Sequence, residues 1–298
     1  MYKLLYAAAS RLGTPYARRL STNAIKLAAA VAPTGLPQHL QRKVMGLTFP
    51  GPIGLAAGFD KHGELYPALF PLGFGFAEIG SVIPLPEPQR SHGLNAVTAI
   101  LEQHPRPHPA PLGVSVSMNR MTPAERMADD YLACIERLWK YADYFAINLG
   151  ISAGPDLHLP ENHAILRSVL ESVKNARSRI GRSSGLYRPM LVKVDRNRGD
   201  TDSLLACVQE FSFDGLILSG DANKGEEHLT LAKLEQVASA MNGQMPIISV
   251  GGIRTPQDAA DRLSAGAALV QVYSGIVESG PMLPRRINEY LSNSAAAS

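Results

Sequence analysis

Ile247-Ile248-Ser249-Val250-Gly251-Gly252-Ile253 is followed, after one helical stretch, by Leu269-Val270-Gln271-Val272-Tyr273-Ser274-Gly275. Each segment is a short apolar run that ends in glycine. Between them, Thr255-Pro256-Gln257-Asp258 has a threonine N-cap, proline at the first helical position and a carboxylate at the third, which is how a helix opens. Strand, glycine turn, helix and strand make the repeating unit of a parallel sheet. Upstream, six more runs keep the same rhythm: Ile53–Gly58, Phe74–Gly80, Leu112–Ser117, Tyr144–Leu149, Met190–Val194 and Gly215–Ser219. They are apolar without alternation, as strands buried on both faces are. Helical patterns lie between most of them. In residues 123–142 a stripe of Met127, Tyr131, Cys134, Ile135 and Leu138 follows a Thr122-Pro123-Ala124-Glu125 capping box. Eight strands alternating with helices predict an α/β fold, a (β/α)8 TIM barrel, with an open doubly wound sheet as the competing architecture. Two stretches interrupt the rhythm: residues 84–111, rich in proline and histidine, and the polar loop 220–228. Ser292–Ser298 reads as a disordered tail.

A chain of 298 residues with 45% hydrophobic content suits one barrel domain. Cys134 and Cys207 sit in apolar helical patterns and read as buried free thiols, not as a disulfide or metal site. His104 and His108 belong to a proline-rich solvent loop, and no metal site is expected. The net charge of +3 conceals an asymmetry: no acidic residue precedes Asp60, while seven of the 29 basic residues do, leaving 22 basic against 26 acidic residues in the remainder. A basic leader on an acidic body points to an anionic partner. No nucleic-acid motif occurs, and a membrane surface fits better. The first 32 residues read as two short helices, with Leu4, Leu5, Ala8 and Leu12 on one stripe and Leu20, Ile25, Leu27, Ala28 and Val31 on the next. Neither approaches the ~20 apolar residues of a membrane span. An amphipathic segment lying in the interface is expected, against packing on the barrel or a transit peptide. The division falls between a helical segment, residues 1–44, and a barrel, residues 45–298.

In such a barrel the chemistry gathers at the C-terminal ends of the strands. The first run ends in Ala57-Gly58-Phe59-Asp60-Lys61, where glycine lets a flat ligand approach the backbone and Lys61 can donate to a carbonyl or anion. The second ends in Gly80-Ser81, and the fourth in Asn148. Lys193 stands in the otherwise apolar fifth run and needs a partner, for which a ligand is one candidate. Taken singly, each of these polar residues reads as an internal hydrogen bond. Two lysines and an asparagine at three strand ends read as a site. Gly251-Gly252 and Tyr273-Ser274-Gly275 follow the last two strands, where backbone N–H groups commonly cradle a phosphate.

Met45-Gly46-Leu47-Thr48-Phe49, Gly54-Leu55-Ala56-Ala57-Gly58-Phe59-Asp60-Lys61, Asp129-Asp130-Tyr131-Leu132, residues 247–267 and Val270-Gln271-Val272-Tyr273-Ser274-Gly275 resemble the membrane-associated, quinone-dependent dihydroorotate dehydrogenases. The resemblance implies an FMN site at Ala57, Gly58, Ser81, Asn148, Lys193, Gly251, Gly252, Tyr273, Ser274 and Gly275, with Lys61 between flavin and substrate. It also implies that the N-terminal helices meet a membrane surface and quinone, on the cytoplasmic face, with a cytoplasmic location as the alternative.

The chain departs from this family on the substrate side. The family's Asn-x-Ser-Ser-Pro-Asn is here Asn148-Leu149-Gly150-Ile151-Ser152-Ala153, so an isoleucine stands where the proton-abstracting serine belongs. An alkyl group has no lone pair to accept a proton. Ser152 is the one weak replacement, reachable only if the loop slips. Ala153 replaces a substrate-binding asparagine, Ser115 another, and Met118 a lysine. Residues 94–111 lack the family's Met-Gly-Phe-Asn-Asn, its Thr-Asn-Thr-Thr is replaced by Ser219-Gly220-Asp221-Ala222, and its Gly-Gly-Leu-Ser-Gly loop is deleted. Asp221 reads as a loop residue. The expectation is an FMN-binding flavoprotein whose dihydroorotate oxidation is lost or replaced. The alternatives are an active dehydrogenase with unusual loops and a flavin-free scaffold acting through partners.

Overall fold

The structure, a computed structural model, describes residues 25–30, 32, 35–104, 106–150, 155–195, 197, 201–220 and 227–296. Eight strands close a parallel barrel: β3 (Ile53–Leu55), β4 (Phe76–Val82), β5 (Leu112–Val116), β6 (Tyr144–Asn148), β7 (Met190–Asp195), β8 (Gly215–Ser219), β9 (Ile247–Val250) and β10 (Leu269–Val272), with β10 returning to pair with β3. An antiparallel hairpin, β1 (Arg42–Val44) and β2 (Leu47–Phe49), precedes them and spans the 44/45 division. The helices are α1 (Leu94–Leu101), α2 (Met127–Leu138), α3 (His163–Ser184), α4 (Thr201–Glu210), α5 (Glu227–Met241), α6 (Pro256–Ser264), α7 (Ser274–Ser279) and α8 (Leu283–Ala296). The barrel, and not the open sheet, is the architecture.

Closure divides the apolar residues into two cores. One lies between strands and helices and holds the buried faces of both, including Met127, Tyr131, Cys134, Ile135 and Leu138 of α2. The other fills the barrel interior with Ala56, Phe76, Tyr144, Ala146, Leu191, Ile217, Ile248, Val250 and Leu269, and Phe49 of β2 plugs its floor. Alternate strand positions supply the two cores, which is why the runs carry no polar face. Phe49 meets Phe76 edge-on at 5.2 Å between ring centres. The interior is narrow, so large rings need empty neighbours. Gly54 pairs with Phe76 across β3 and β4, and Gly113 pairs with Tyr144 across β5 and β6. A Cβ at either glycine would overlap the facing ring.

Several local expectations change. The first strand stops at Leu55, and the second starts at Phe76 and extends to Val82. Helix α1 forms inside the stretch that looked irregular. The Thr255 capping box forms as written, with Thr255 accepting from the Asp258 N–H. The Thr122 box does not: a short 3-10 turn, Ala124–Arg126, intervenes, and the Thr122 hydroxyl donates to Asp130 at 2.6 Å. The tail expected to be disordered is helical through Ala296. Asn288 of α8 donates to the Gly73 carbonyl at 2.7 Å, and Ser292 hydrogen-bonds His39. His108 is not in a solvent loop: it packs edge-on against Tyr66 with His104 beside it. Both cysteines are buried free thiols. Residues 25–30 form one helical turn that buries Ile25 and Ala29 and leaves Leu27 exposed. The helices expected over residues 1–24 lie outside the described residues. Among the described residues no helix is long and apolar enough to cross a membrane.

Substituting Gly113→Ala should force the Tyr144 ring aside and destabilise the fold by about 1–3 kcal/mol, the usual effect of overpacking. Urea unfolding reads this as a lower midpoint with unchanged slope; an unchanged midpoint would mean that the ring has room.

Candidate functional site

Polarity rises along the strands from the floor to the C-terminal mouth. On β4, Glu78 stands two residues above Phe76; on β6, Asn148 stands four above Tyr144; on β7, Lys193 stands two above Leu191; and on β10, Gln271 stands two above Leu269. Period-two geometry puts each pair on the same face. Glu78 is fully buried, and its Oε2 accepts from the Tyr144 hydroxyl at 3.1 Å and the Gln271 amide at 3.0 Å. β5 separates β4 from β6, and β3 separates β4 from β10, so both bonds cross the interior. Burial pushes the Glu78 carboxyl up, while the charge of Lys193 and the two donors pull it down, and burial wins.

At the rim, the Ser81 hydroxyl lies 3.0 Å from that of Ser115 and accepts from the Asn148 amide at 2.8 Å. The Asn148 side-chain oxygen accepts from the Gly150 N–H, and its backbone carbonyl accepts from the Tyr131 hydroxyl at 2.9 Å. Asn148 and Ser81 are therefore held by the protein, as each read singly, and they form one unit across three strands. For Lys193, whose charge works on the Glu78 carboxyl through space, no hydrogen bond to Glu78 forms.

The loop after β3 is folded by Asp60, whose two carboxylate oxygens accept from the N–H groups of Gly63, Glu64, Leu65 and Tyr66 at 2.9–3.0 Å. This turns the neighbouring Lys61 to the carbonyl of Gln89, at 3.2 Å. Gln89 belongs to the loop after β4, which Glu87 organises. Glu87 accepts from Arg90 at 2.9 Å, the Asn119 amide at 2.9 Å and the Arg120 N–H at 2.7 Å. Partial burial alone would raise the Glu87 carboxyl, but these donors outweigh it and hold it below the usual range. Ser115 and Met118 are both fully buried, and Ser115 is absorbed by Ser81.

Across the mouth, Gly251 and Gly252 are consecutive left-handed residues, with φ of +103° and +74°, a turn that side chains resist. Buried Arg262 of α6 pins it from behind, donating to the Ser249 hydroxyl and the Gly251 carbonyl, each at 2.9 Å. Gly275 is needed for packing, since a Cβ there would overlap the Ile253 carbonyl. Tyr273 is 46% exposed and meets Phe59 edge-on at 5.8 Å, beside Ala57 and Gly58; Ser274 begins the short α7. Ile151, Ser152, Ala153 and Asp221 lie outside the described residues.

Glu78, Gln271, Arg262, Asp60 and Glu87 are the structural finds here. A glutamate inside one apolar run and a lysine inside another are a readable signal that polar groups share the barrel interior. Nothing in the spacing pointed to Glu87 or Arg262.

Arg262→Met should leave the Ser249 hydroxyl and the Gly251 carbonyl unmet, at about 1–3 kcal/mol each. Arg262→Lys should recover less than half of the lost stability, because one ammonium lacks the guanidinium fork. Chemical denaturation midpoints of the three proteins test this, and full rescue by lysine would contradict it.

A sequence profile of the family described as dihydroorotate dehydrogenase matches residues 39–90 and 217–294. These stretches carry Lys61, Ser81, Gly252 and Ser274; the unmatched middle carries Asn148 and Lys193 as well as residues 151–154. A protein named dihydroorotate dehydrogenase (quinone) from Nitrosospira multiformis is 33% identical over 294 residues, covering 85% of this chain and 84% of its own. One of the same name from Chloroflexus aurantiacus is 34% identical over 296 residues, covering 84% and 81%. Among solved structures, ligand-free dihydroorotate dehydrogenase from Eimeria tenella superposes with a TM-score of 0.78 at 27% identity, over 92% of this chain and 94% of its own. The complex of that enzyme with ferulenol gives a TM-score of 0.79 at 25% identity, over 94% and 92%. With the closed barrel and this breadth of identity, the chain belongs to the dihydroorotate dehydrogenase family.

Proposed function

We propose that this chain is an FMN-binding member of its family in which dihydroorotate oxidation has been lost or replaced by another redox or non-catalytic role. The carrying observation is Lys193. Its ammonium has no hydrogen-bond partner among the described residues, although it stands at the mouth of the barrel beside Asn148. A lysine there with only a through-space partner fits a ligand that supplies acceptors. Lys193, Asn148, Ser81 and Lys61 would hold the polar part of a flavin ring. Ala57 and Gly58 would allow its close approach. The Gly251-Gly252 turn with Tyr273, Ser274 and Gly275 would hold its phosphate. When bound, the flavin supplies a centre that accepts hydride and electrons. The positive charge of Lys193 would favour negative charge on a ring placed next to it.

On the substrate side, Ile151 offers no lone pair to take a proton, and Ala153 and Gly220 offer no amide to orient a ring. Base loss alone costs a rate factor of roughly 10²–10⁴, and lost positioning can remove ~7–11 kcal/mol of barrier reduction. Quinone is the electron acceptor named for the relatives. The acid-free N-terminal residues 1–44 support its approach from a membrane surface, with the chain attached peripherally on the cytoplasmic face.

Purified protein should release FMN on denaturation. Lys193→Ala should weaken FMN binding about 10–100-fold, the worth of a charge-assisted hydrogen bond. A colourless protein that takes up no added FMN would refute the flavin assignment.

Dihydroorotate should not bleach the bound flavin anaerobically, and the gene should not complement a strain lacking its own dihydroorotate dehydrogenase. Ile151→Ser alone should not restore growth, because the ring remains unheld. Growth supported by the unaltered chain would establish the active-enzyme alternative, with Ser152 as the first candidate base.

A further inference from the structure

We propose that Glu78 is a neutral carboxylic acid, joined to Gln271 by a closed acid–amide pair, and that this leaves the positive charge of Lys193 available to a ligand at the barrel mouth. The second half rests on the flavin reading above; the first does not.

Two buried oxygens carry the argument. Among the described residues Glu78 Oε1 and Gln271 Oε1 both lack any hydrogen-bond partner, while the same two side chains are already joined through Gln271 Nε2 and Glu78 Oε2 at 3.0 Å. Buried acceptors are rarely left bare, because each costs ~1–3 kcal/mol. Two orphan acceptors on side chains already in contact are the signature of one missing proton. Placed on Glu78 Oε1, that proton lets the acid donate to the Gln271 oxygen while the amide donates back. Oε2 then behaves as a carbonyl oxygen. Its two lone pairs take the two donors it has, the Tyr144 hydroxyl and the Gln271 amide. Turning the Gln271 amide over moves the proton to Oε2 and does not remove the need for it.

An ionised Glu78 meets three objections. It would be a fully buried carboxylate with one oxygen bare. Its charge partner, Lys193, reaches it only through space, with no hydrogen bond or ion pair between them among the described residues. Tyr144 and Gln271, the other groups that face it, are neutral donors. Burial of this degree favours the uncharged acid, and the upward push on its carboxyl agrees. With Glu78 neutral, Lys193 is not cancelled from below.

Infrared spectroscopy of the folded full chain, with glutamates isotopically labelled at the side-chain carboxyl carbon, tests the first half at neutral pH. Glu78 is the only glutamate fully buried among the described residues, and water-exposed glutamates are ionised there. One carboxylic-acid carbonyl band should appear, move with the label and vanish in Glu78→Gln. Absence of a label-sensitive acid band from the folded protein overturns the assignment. If Glu78→Gln does not fold, the isotope shift in the unaltered chain decides alone. FMN titration tests the second half. Glu78→Gln exchanges one neutral group for another, so its Kd for FMN should stay within about threefold of the unaltered chain. Tightening of about tenfold or more would mean that a negative charge had been removed, and would overturn the proposal. An unaltered chain that binds no FMN sinks the flavin reading and the second half together, while the infrared band still decides the first.

Discussion

Closing eight parallel strands on themselves fixes the volume inside, and every inward side chain must share it with the others at its level. Here that constraint is met by placing glycine opposite a ring: Gly54 against Phe76 and Gly113 against Tyr144. The floor so formed is apolar and sealed by Phe49. Tyr144, seated in the gap left by Gly113, is also what reaches Glu78, so the packing of the floor sets the geometry of the polar level above it. An inward carboxyl, lysine and amide are tolerated only because the barrel brings them to one another.

The mouth obeys a different rule. Its loops are shaped by single side chains that satisfy several backbone groups at once. Asp60 takes four N–H groups, Glu87 binds two loops together, and Arg262 ties the glycine turn to β9. Each of these anchors sits behind the surface it shapes. The surface itself is thereby left to side chains that carry none of this anchoring.

How much of this was legible followed from the range of the interactions. Apolar runs and glycine turns are local signals, and they located the barrel and the ends of its strands. The Thr255 cap was also local and formed as written. The Thr122 box was written the same way and lost to Asp130, a competitor one turn further on that propensity does not weigh. Helix α1 was hidden by the prolines and histidines around it. The C-terminal helix was hidden by a serine-, asparagine- and alanine-rich composition, although Leu283 and Ile287 face the core and Asn288 anchors it. Glu78 and Gln271 could be seen as polar residues in apolar strands. Their pairing could not, because it depends on which strands stand opposite one another once the sheet has closed.

That closure joins the first strand of the barrel to the last. β3, the first barrel strand, pairs with β10, the last, and the C-terminal helix is fastened to Gly73 and His39. A ribosome delivers the chain from one end only. Until Leu269–Val272 has cleared the exit tunnel, β3 and β9 are open edges of an unfinished sheet, and such edges invite pairing with other chains. For this protein the barrel is completed only when its last strand arrives, and a chain cut before Leu269 is left with a sheet that cannot close.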